Sequence, residues 1–492
     1  MGAWAAVLGL SGAITGRVDL SESGERGVHA ASVFALLSAA GLAWALASGD
    51  LTYRYVASWV SYGTPLPYRI GAVWAGPTGA LLLWAVALGL GATVATSTLR
   101  RGTVLRSWTG ALLALLLLAV LAMASLDVNP FLRLPFPPED GRGQPLEWMR
   151  PVALVQMPLG YCAMALLAVP SVMTVMGALG TTAWRDAARR WALVCWALLG
   201  AAMLLDWRRR YGDAAWAGDW RWASVHAGTA FAWAGATLLV WVTGRSRHSS
   251  AAALAGFAAF TLGLIGLTLR RATGWNGVHD MAGSAAGRAL AWGGLVVVVA
   301  YAMSGLLARR GSGEGGARSS RGIAARAMAV SHVATLLVAA ALVAAGFERV
   351  SEVSLREGDR VRVPDTFGTP WTLSLEGVST VGREAVVANV VAVRAAVNGH
   401  SRGFVGAEIR SLYSGEGREP VDQIALSGIA SGLAQDLKID VGEASTTDAT
   451  LTVRFVPGAS WIRIAGLAAV LAAFVAAGAA GAAGAAPPVE DA

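Results

Sequence analysis

The chain has 492 residues, of which 55% are hydrophobic and 14% charged, and its formal net charge is +8. Soluble domains carry about 25% charged residues, so this composition, with a mean hydropathy of +0.54, excludes an ordinary soluble globular protein. The positive balance does not point to nucleic acid, because Lys and Arg collect in the cytoplasmic loops of membrane proteins.

Apolar runs of bilayer-crossing length predict eleven spans, at about residues 3–16, 29–48, 70–96, 107–125, 151–178, 190–206, 227–243, 250–268, 287–308, 325–346 and 462–484. The first run lacks a basic leader and a small-residue cleavage site, so it reads as a short membrane helix rather than a signal peptide. Cys162 and Cys195 each fall inside an apolar run and no C-x-x-C occurs. A dithiol centre and a cysteine zinc site are therefore excluded.

Basic residues orient the spans. Arg100, Arg101 and Arg106, then Arg185, Arg189 and Arg190, then Arg245 and Arg247, then Arg309, Arg310, Arg318, Arg321 and Arg326 share one side if the spans alternate. That side is expected to be cytoplasmic. Arg208, Arg209 and Arg210 then fall on the opposite side, where an anionic ligand would give them a reason. Between the last two spans the text changes to short β-branched runs such as EVSLREGDRVRVP and ATLTVRFVP, bounded by Gly, Pro, Asn and Asp. These are strand and turn signals.

The expected fold is thus mainly α: a polytopic membrane helix bundle of about eleven helices, with a small extracytoplasmic β-rich domain before the last helix. The expected divisions are 1–346 for the helical domain, 347–460 for the β-rich domain and 461–492 for the last helix and its low-complexity tail.

One stretch on the external side, WAGDWRWASVHA at 216–227, concentrates aromatic and polar chemistry. Trp216, Gly218, Trp220 and Trp222 could form a flat platform for a planar ligand. The alternative is an interfacial tryptophan belt. Arg221, with Arg208, Arg209 and Arg210, could pair with carboxylates, and His226 could ligate a metal. A planar macrocycle with carboxylates and a central iron, heme, meets all three requirements. His279 lies in the external RRATGWNGVHD, and His332 lies inside the tenth span. An ionisable group in a membrane helix marks a functional site unless it serves an interhelical hydrogen bond. His29, His248 and His400 read as solvated.

Four segments together resemble one family. YVASWVSYGTPLPYRIGAVWAGPTGALLLW is similar to a loop and following W-G-G-x-x-G-S-L-L-L-W helix of the CcmF heme lyase family of bacterial cytochrome c maturation. NPFLRLPFPPEDGRGQPLEWMRPVALVQMPLGY resembles its N-P-F…D-G-x-G segment, and WAGDWRWASVHA falls on its tryptophan-rich signature. FVGAEIRSLYSGEGREPVDQIALSGIASGLAQDLKIDVGE is similar to its β-domain stretch.

The resemblance implies formation of thioether bonds between heme vinyl groups and the cysteines of a C-x-x-C-H motif in apocytochrome c. It implies a heme carrier and a thiol-handling subunit as partners, and a location in the bacterial inner membrane. It also implies one heme at the tryptophan segment between two external histidines, and a b-type heme in the membrane between two more. Of those four positions, His279 and His332 are retained as metal ligands, while Gln156 and a position near Trp241 depart. Ala223 and Ser224 replace the signature's Asp-Pro, and His226 stands where a Glu is expected. Pro77 and Thr78 replace a polar pair in the helix motif, and the interval from His279 to His332 is about four helices short. Tryptophan offers only an N–H donor, so loss of the membrane heme is expected. The expected function is presentation of heme for covalent attachment; the alternative is a non-catalytic heme-binding or scaffold paralogue. A transporter of another small anion would need charges at mid-membrane depth, and the predicted spans offer mainly His332.

Overall fold

The computed structural model describes residues 1–126, 129–178, 184–214, 224–245, 251, 254–256, 258–259, 320–383, 386–413, 420 and 422–485. Among these, seven helices are long and apolar enough to cross a membrane, and Gly2–Thr15 and Phe231–Gly244 are shorter apolar helices. The chain is a multi-pass membrane protein. The expected spans at 250–268 and 287–308 fall largely or wholly outside the described residues.

The helices are α1 (Gly2–Thr15), α2 (Val18–Ser48), α3 (Arg54–Trp59), α4 (Leu66–Gly71), α5 (Pro77–Thr98), α6 (Val104–Leu126), α7 (Pro151–Leu166), α8 (Ala168–Ala178), α9 (Trp184–Tyr211) and α10 (Ser224–Arg245). After the undescribed stretch come α11 (Ser320–Ala345) and α12 (Ala459–Ala485). Gly16 (φ 70°) and Gly49 (φ 69°) close α1 and α2 in the left-handed region, which glycine enters without steric cost. Pro77 and Pro151 open α5 and α7, where the missing N–H would have had no partner in any case.

Three expectations are corrected. The third span begins at Pro77, not near 70, because the separate short helix α4 and a tight turn precede it. The second span begins at Val18, not near 29. Its polar first turns hid it, because Glu25 is buried and paired with Arg106 of α6 at 2.6 Å. That ion pair lies within a span, so the helices hold more charge than His332 alone. The sixth span extends at both ends, from Trp184 to Tyr211. Its final turn carries Arg208, Arg209 and Arg210, which lie beyond the expected end of the span at 206.

Among the described residues, nine antiparallel strands lie between α11 and α12: β1 (Arg349–Arg356), β2 (Arg360–Pro364), β3 (Pro370–Arg383), β4 (Val386–Val397), β5 (His400–Leu412), β6 (Asp422–Leu426), β7 (Gly428–Ala430), β8 (Gln435–Ala444) and β9 (Asp448–Pro457). They form sheets ordered β1-β9-β8-β7 and β2-β3-β4-β5-β6. Alternate residues Leu373, Leu375, Val391, Val393, Leu451, Val453 and Phe455 fill the core between them, as the two-residue period of strands requires. His400 opens β5 and is exposed. Chain direction places Arg100, Arg101, Arg185, Arg189, Arg190 and Arg326 at the end of the bundle opposite this β-rich unit.

Candidate functional site

Of the residues singled out in the sequence, Trp216, Gly218, Trp220, Arg221, Trp222 and His279 lie outside the described residues. His226 falls in the first turn of α10, with its side chain outside what is described. What the structure does give is the frame that holds the tryptophan segment at its N-terminal side.

α9 ends in a wedge. Trp207 and Tyr211 stack at 4.8 Å between ring centroids and are buried against Ala341, Ala345, Val456, Ala459 and Ile462. The next three residues leave the helix and pair with the edge of β6. Ser427 N donates to Gly212 O at 2.9 Å, and Ala214 N donates to Ala425 O at 3.1 Å, with Asp213 facing Leu426 as an antiparallel bridge. The stem is thus a short added strand whose backbone groups are satisfied by the β-rich unit.

Lys438 of β8 holds this stem from behind. Its Nζ donates to Asp213 O at 2.9 Å, lies 3.6 Å from Asp440 and sits 6.0 Å from the Tyr211 ring centroid. The residue is 0% exposed, and it is the single lysine in a chain with 39 basic residues. Burial pulls its ammonium below the ordinary lysine range, against the opposing pull of Asp440. Asp440 is itself held by Arg454 at 3.1 Å, and Arg454 by Glu348 at 3.1 Å.

An arginine cluster surrounds the stem. Arg209 and Arg210 face Asp206 at 3.2 and 3.4 Å, and Arg150 is paired with Asp213. Asp206 therefore supplies a local reason for two cations whose position had suggested an anionic ligand, and Arg208 is exposed. Among the described residues, the guanidiniums of Arg150, Arg208, Arg209 and Arg210 stand against the carboxylates of Asp206 and Asp213, with Glu147 also acting on Arg210, and these groups keep a positive surplus. Burial raises the Asp213 carboxyl, opposed by Arg150, and burial lowers the Arg150 guanidinium.

The neighbouring wall comes from the first quoted segment. The buried Tyr55 hydroxyl contacts Ala72 O at 2.9 Å and Val73 O at 3.1 Å and accepts from Gly76 N at 3.0 Å. It fixes the turn that launches α5. Trp59 stacks on Trp148 at 5.5 Å, Gln144 Nε2 donates to Tyr68 O at 2.7 Å, and Leu146 N donates to Asp422 of β6 at 2.7 Å. One strand edge, β6, therefore grips both the 129–150 loop and the tryptophan stem.

His332 is buried in α11, and its Nδ1 meets Met328 O. A backbone bond at Nδ1 makes Nε2 the nitrogen through which the ring would meet a metal. Trp241 lies on α10 and is 44% exposed, and its indole cannot ligate iron. Gln156 is buried in α7 with no hydrogen-bond partner for Oε1 among the described residues. No group of three or more His, Cys, Asp or Glu side chains able to hold a metal occurs among the described residues. Of the residues at the two intramembrane positions that the resemblance assigns to histidine, His332 offers an imidazole and Trp241 does not, so these two do not fit a bis-histidine pair.

Sequence reasoning missed Lys438, Asp213, Arg150 and Tyr55. Only Lys438 carried a signal, as the lone lysine.

No family model matches the chain. It is 31% identical over 253 residues to the cytochrome c-type biogenesis protein CcmF of Pseudomonas aeruginosa, covering 49% of this chain and 38% of that protein. It is 30% identical over 261 residues to CcmF of Pseudomonas fluorescens, covering 51% and 39%. The probable cytochrome c-type biogenesis protein NrfE of Escherichia coli is 29% identical over 224 residues, covering 44% and 40%. The match thus spans less than half the length of these relatives. Among solved structures, a cytochrome c heme lyase CcmF superposes with a TM-score of 0.72 at 17% identity, over 96% of this chain and 95% of that one.

Proposed function

We propose that this chain is a CcmF-family member, matched to its curated relatives over about half of its own length, and that it presents heme on the outer face of the bacterial inner membrane for covalent attachment to the C-x-x-C-H motif of apocytochrome c. The observation that carries the reading is the stem geometry. Residues 212–214, which lead into Trp216, Trp220 and Trp222, are built into the edge of the β-rich unit, beside a cluster with surplus positive charge. Heme is the substrate. Its propionates suit guanidinium donors, its ring suits tryptophan faces, and its iron suits the imidazoles of His226 and His279.

The β-domain end faces outward in this reading, because Arg100, Arg101, Arg185, Arg189, Arg190 and Arg326 gather at the other end and basic loops stay cytoplasmic. Apocytochrome c, a heme carrier and a thiol-handling subunit are the partners that the reaction requires. The protein's own share of the chemistry is to bind the macrocycle, orient its vinyl edge and neutralise its carboxylates.

Purified protein is expected to bind added heme with an absorbance spectrum that shifts in the His279→Ala/His226→Ala double variant. An unchanged spectrum would sink the assignment of those ligands. A second reading, a scaffold that docks assembly partners without ligation, is favoured by Gln156 and Trp241 at two positions where the family resemblance expects histidine. An intrinsic low-spin b-type spectrum that depends on His332 would count against the loss of the membrane heme.

A further inference from the structure

α11 and α12 are membrane-length helices that pack against one another and enter the β-rich unit through neighbouring strands, with Arg349 of β1 opposite Phe455 of β9. The spans end at Ala345 and begin at Ala459, which sets the expected level of the bilayer surface near these residues. Four large apolar side chains from separate parts of the chain are exposed at this level: Phe347 (71%), Phe367 (66%), Leu433 (68%) and Trp461 (42%).

Phe347 follows the last turn of α11, and Trp461 sits in the first turn of α12. Phe367 and Leu433 occupy two turns that meet at the same place. Thr366 Oγ1 donates to Phe455 O at 3.1 Å, Arg349 Nη1 donates to Asp365 O at 3.4 Å, and Gly458 N donates to Ala434 O at 3.1 Å.

The Phe367 turn is also held rigidly. The buried Asp365 carboxylate accepts from Phe367 N at 2.9 Å, Thr369 N at 2.8 Å and Trp371 Nε1 at 3.1 Å, and from Gln435 Nε2, which ties it to the Leu433 turn. A fully hydrogen-bonded buried carboxylate that fixes a phenylalanine outward makes poor sense in water, where a large apolar side chain gains nothing by exposure. It makes sense at the headgroup boundary, where aromatic residues concentrate.

We propose that the turns carrying Phe367 and Leu433, together with Phe347 and Trp461, form an apolar foot by which the β-rich unit rests in the headgroup layer of the phospholipid bilayer. The foot fixes the height and tilt of the unit, and through β6 the height of the stem at 212–214.

The test uses the full chain with Cys162→Ala and Cys195→Ala, reconstituted in nanodiscs of phosphatidylethanolamine and phosphatidylglycerol. A nitroxide is attached in turn at Phe367→Cys, at Leu433→Cys and, as a control, at Asp359→Cys beyond the far end of β1. Power saturation compares collisions with oxygen, which partitions into lipid, and with a water-soluble nickel chelate. The expected result is a several-fold higher oxygen-to-nickel ratio at 367 and 433 than at 359. A ratio at either turn equal to that at 359 overturns the proposal. So does low accessibility to both reagents, the signature of burial under a protein partner. Should the cysteine-free background lose its helical circular dichroism, the labels are placed in the native-cysteine chain, where Cys195 is buried and Cys162 lies within a span.

Discussion

Lys438 Nζ lies 2.9 Å from the carbonyl oxygen of Asp213, a contact between residues 225 positions apart. It ties the β-rich unit to the stem at 212–214, which precedes the tryptophan segment in the sequence. Because Lys438 is the chain's single lysine, amine chemistry reports on this contact alone apart from the N-terminus. An amine-reactive ester is expected to modify the Met1 amine and to leave Lys438 unmodified until the protein is denatured, as read by peptide mass spectrometry. Rapid modification of Lys438 in the folded protein would show that the stem is not docked.

Lys438→Met leaves the Asp213 carbonyl and Asp440 without this partner. Removing one member of a buried charged hydrogen bond costs on the order of 3 kcal/mol, so a clear fall in the thermal midpoint is expected. Lys438→Arg is expected to recover little of it, because a planar guanidinium replaces a compact ammonium in a fully enclosed site. Full recovery by arginine would mean that the site asks only for a positive charge.

The same residue gives a pH dependence with a defined sign. Burial lowers its folded pKa below the ordinary lysine value of about 10.4, so between that lowered value and the ordinary one the unfolded chain binds more protons than the folded one. The stability contribution of Lys438 therefore rises with pH through this window, by at most about 1.4 kcal/mol per pH unit. Melting curves of the wild type and Lys438→Met between pH 8 and 10.5 should diverge in favour of the wild type as pH increases. Parallel curves would contradict the buried ammonium.

Arg150 and Asp213 form a pair that burial opposes on both sides. Arg150→Met and Asp213→Leu are each expected to lower stability by about 2–3 kcal/mol, below the cost of a fully buried pair because Asp213 is partly exposed. The double variant is expected to recover most of the loss, since apolar replacement of a buried pair is often neutral. A double-mutant cycle on thermal midpoints checks this. Simple additivity would mean that the two side chains do not interact.

At the turn before α5, Tyr55→Phe removes a hydroxyl that serves three backbone groups. A loss of about 1–3 kcal/mol is expected. Gly79→Ala should be worse, because a Cβ there would stand 1.7 Å from Val73 O. Expression and detergent-resistant folding of the two variants rank them, and a well-folded Gly79→Ala protein would contradict the close approach.

The helices were legible in the sequence wherever burial in lipid demanded an unbroken apolar run. They were not legible where charge entered a helix. Asp19, Glu22, Glu25 and Arg26 disguised the first turns of α2, and Arg208, Arg209 and Arg210 disguised the last turn of α9. In both places a partner explains the charge, Arg106 for Glu25 and Asp206 for Arg209 and Arg210. The spacing of Asp206 to Arg209 and Arg210 could have been read as helical pairing. The strands of the β-rich unit announced themselves through β-branched runs, but their docking did not. Asp422 meets Leu146 across 276 positions, and no local pattern encodes such a contact. Lys438 stood out as a count and gave no hint of its partner.

The central claim is that the tryptophan segment, held by its docked stem, presents heme for covalent attachment. Its most direct test is a heme-stained gel of a secreted C-x-x-C-H reporter in the native host lacking this protein, complemented with the wild type or with Trp216→Ala/Trp220→Ala/Trp222→Ala. The account predicts heme-stained reporter with the wild type and its loss both in the deletion and in the triple variant. A normal heme-stained reporter in the deletion strain would contradict it.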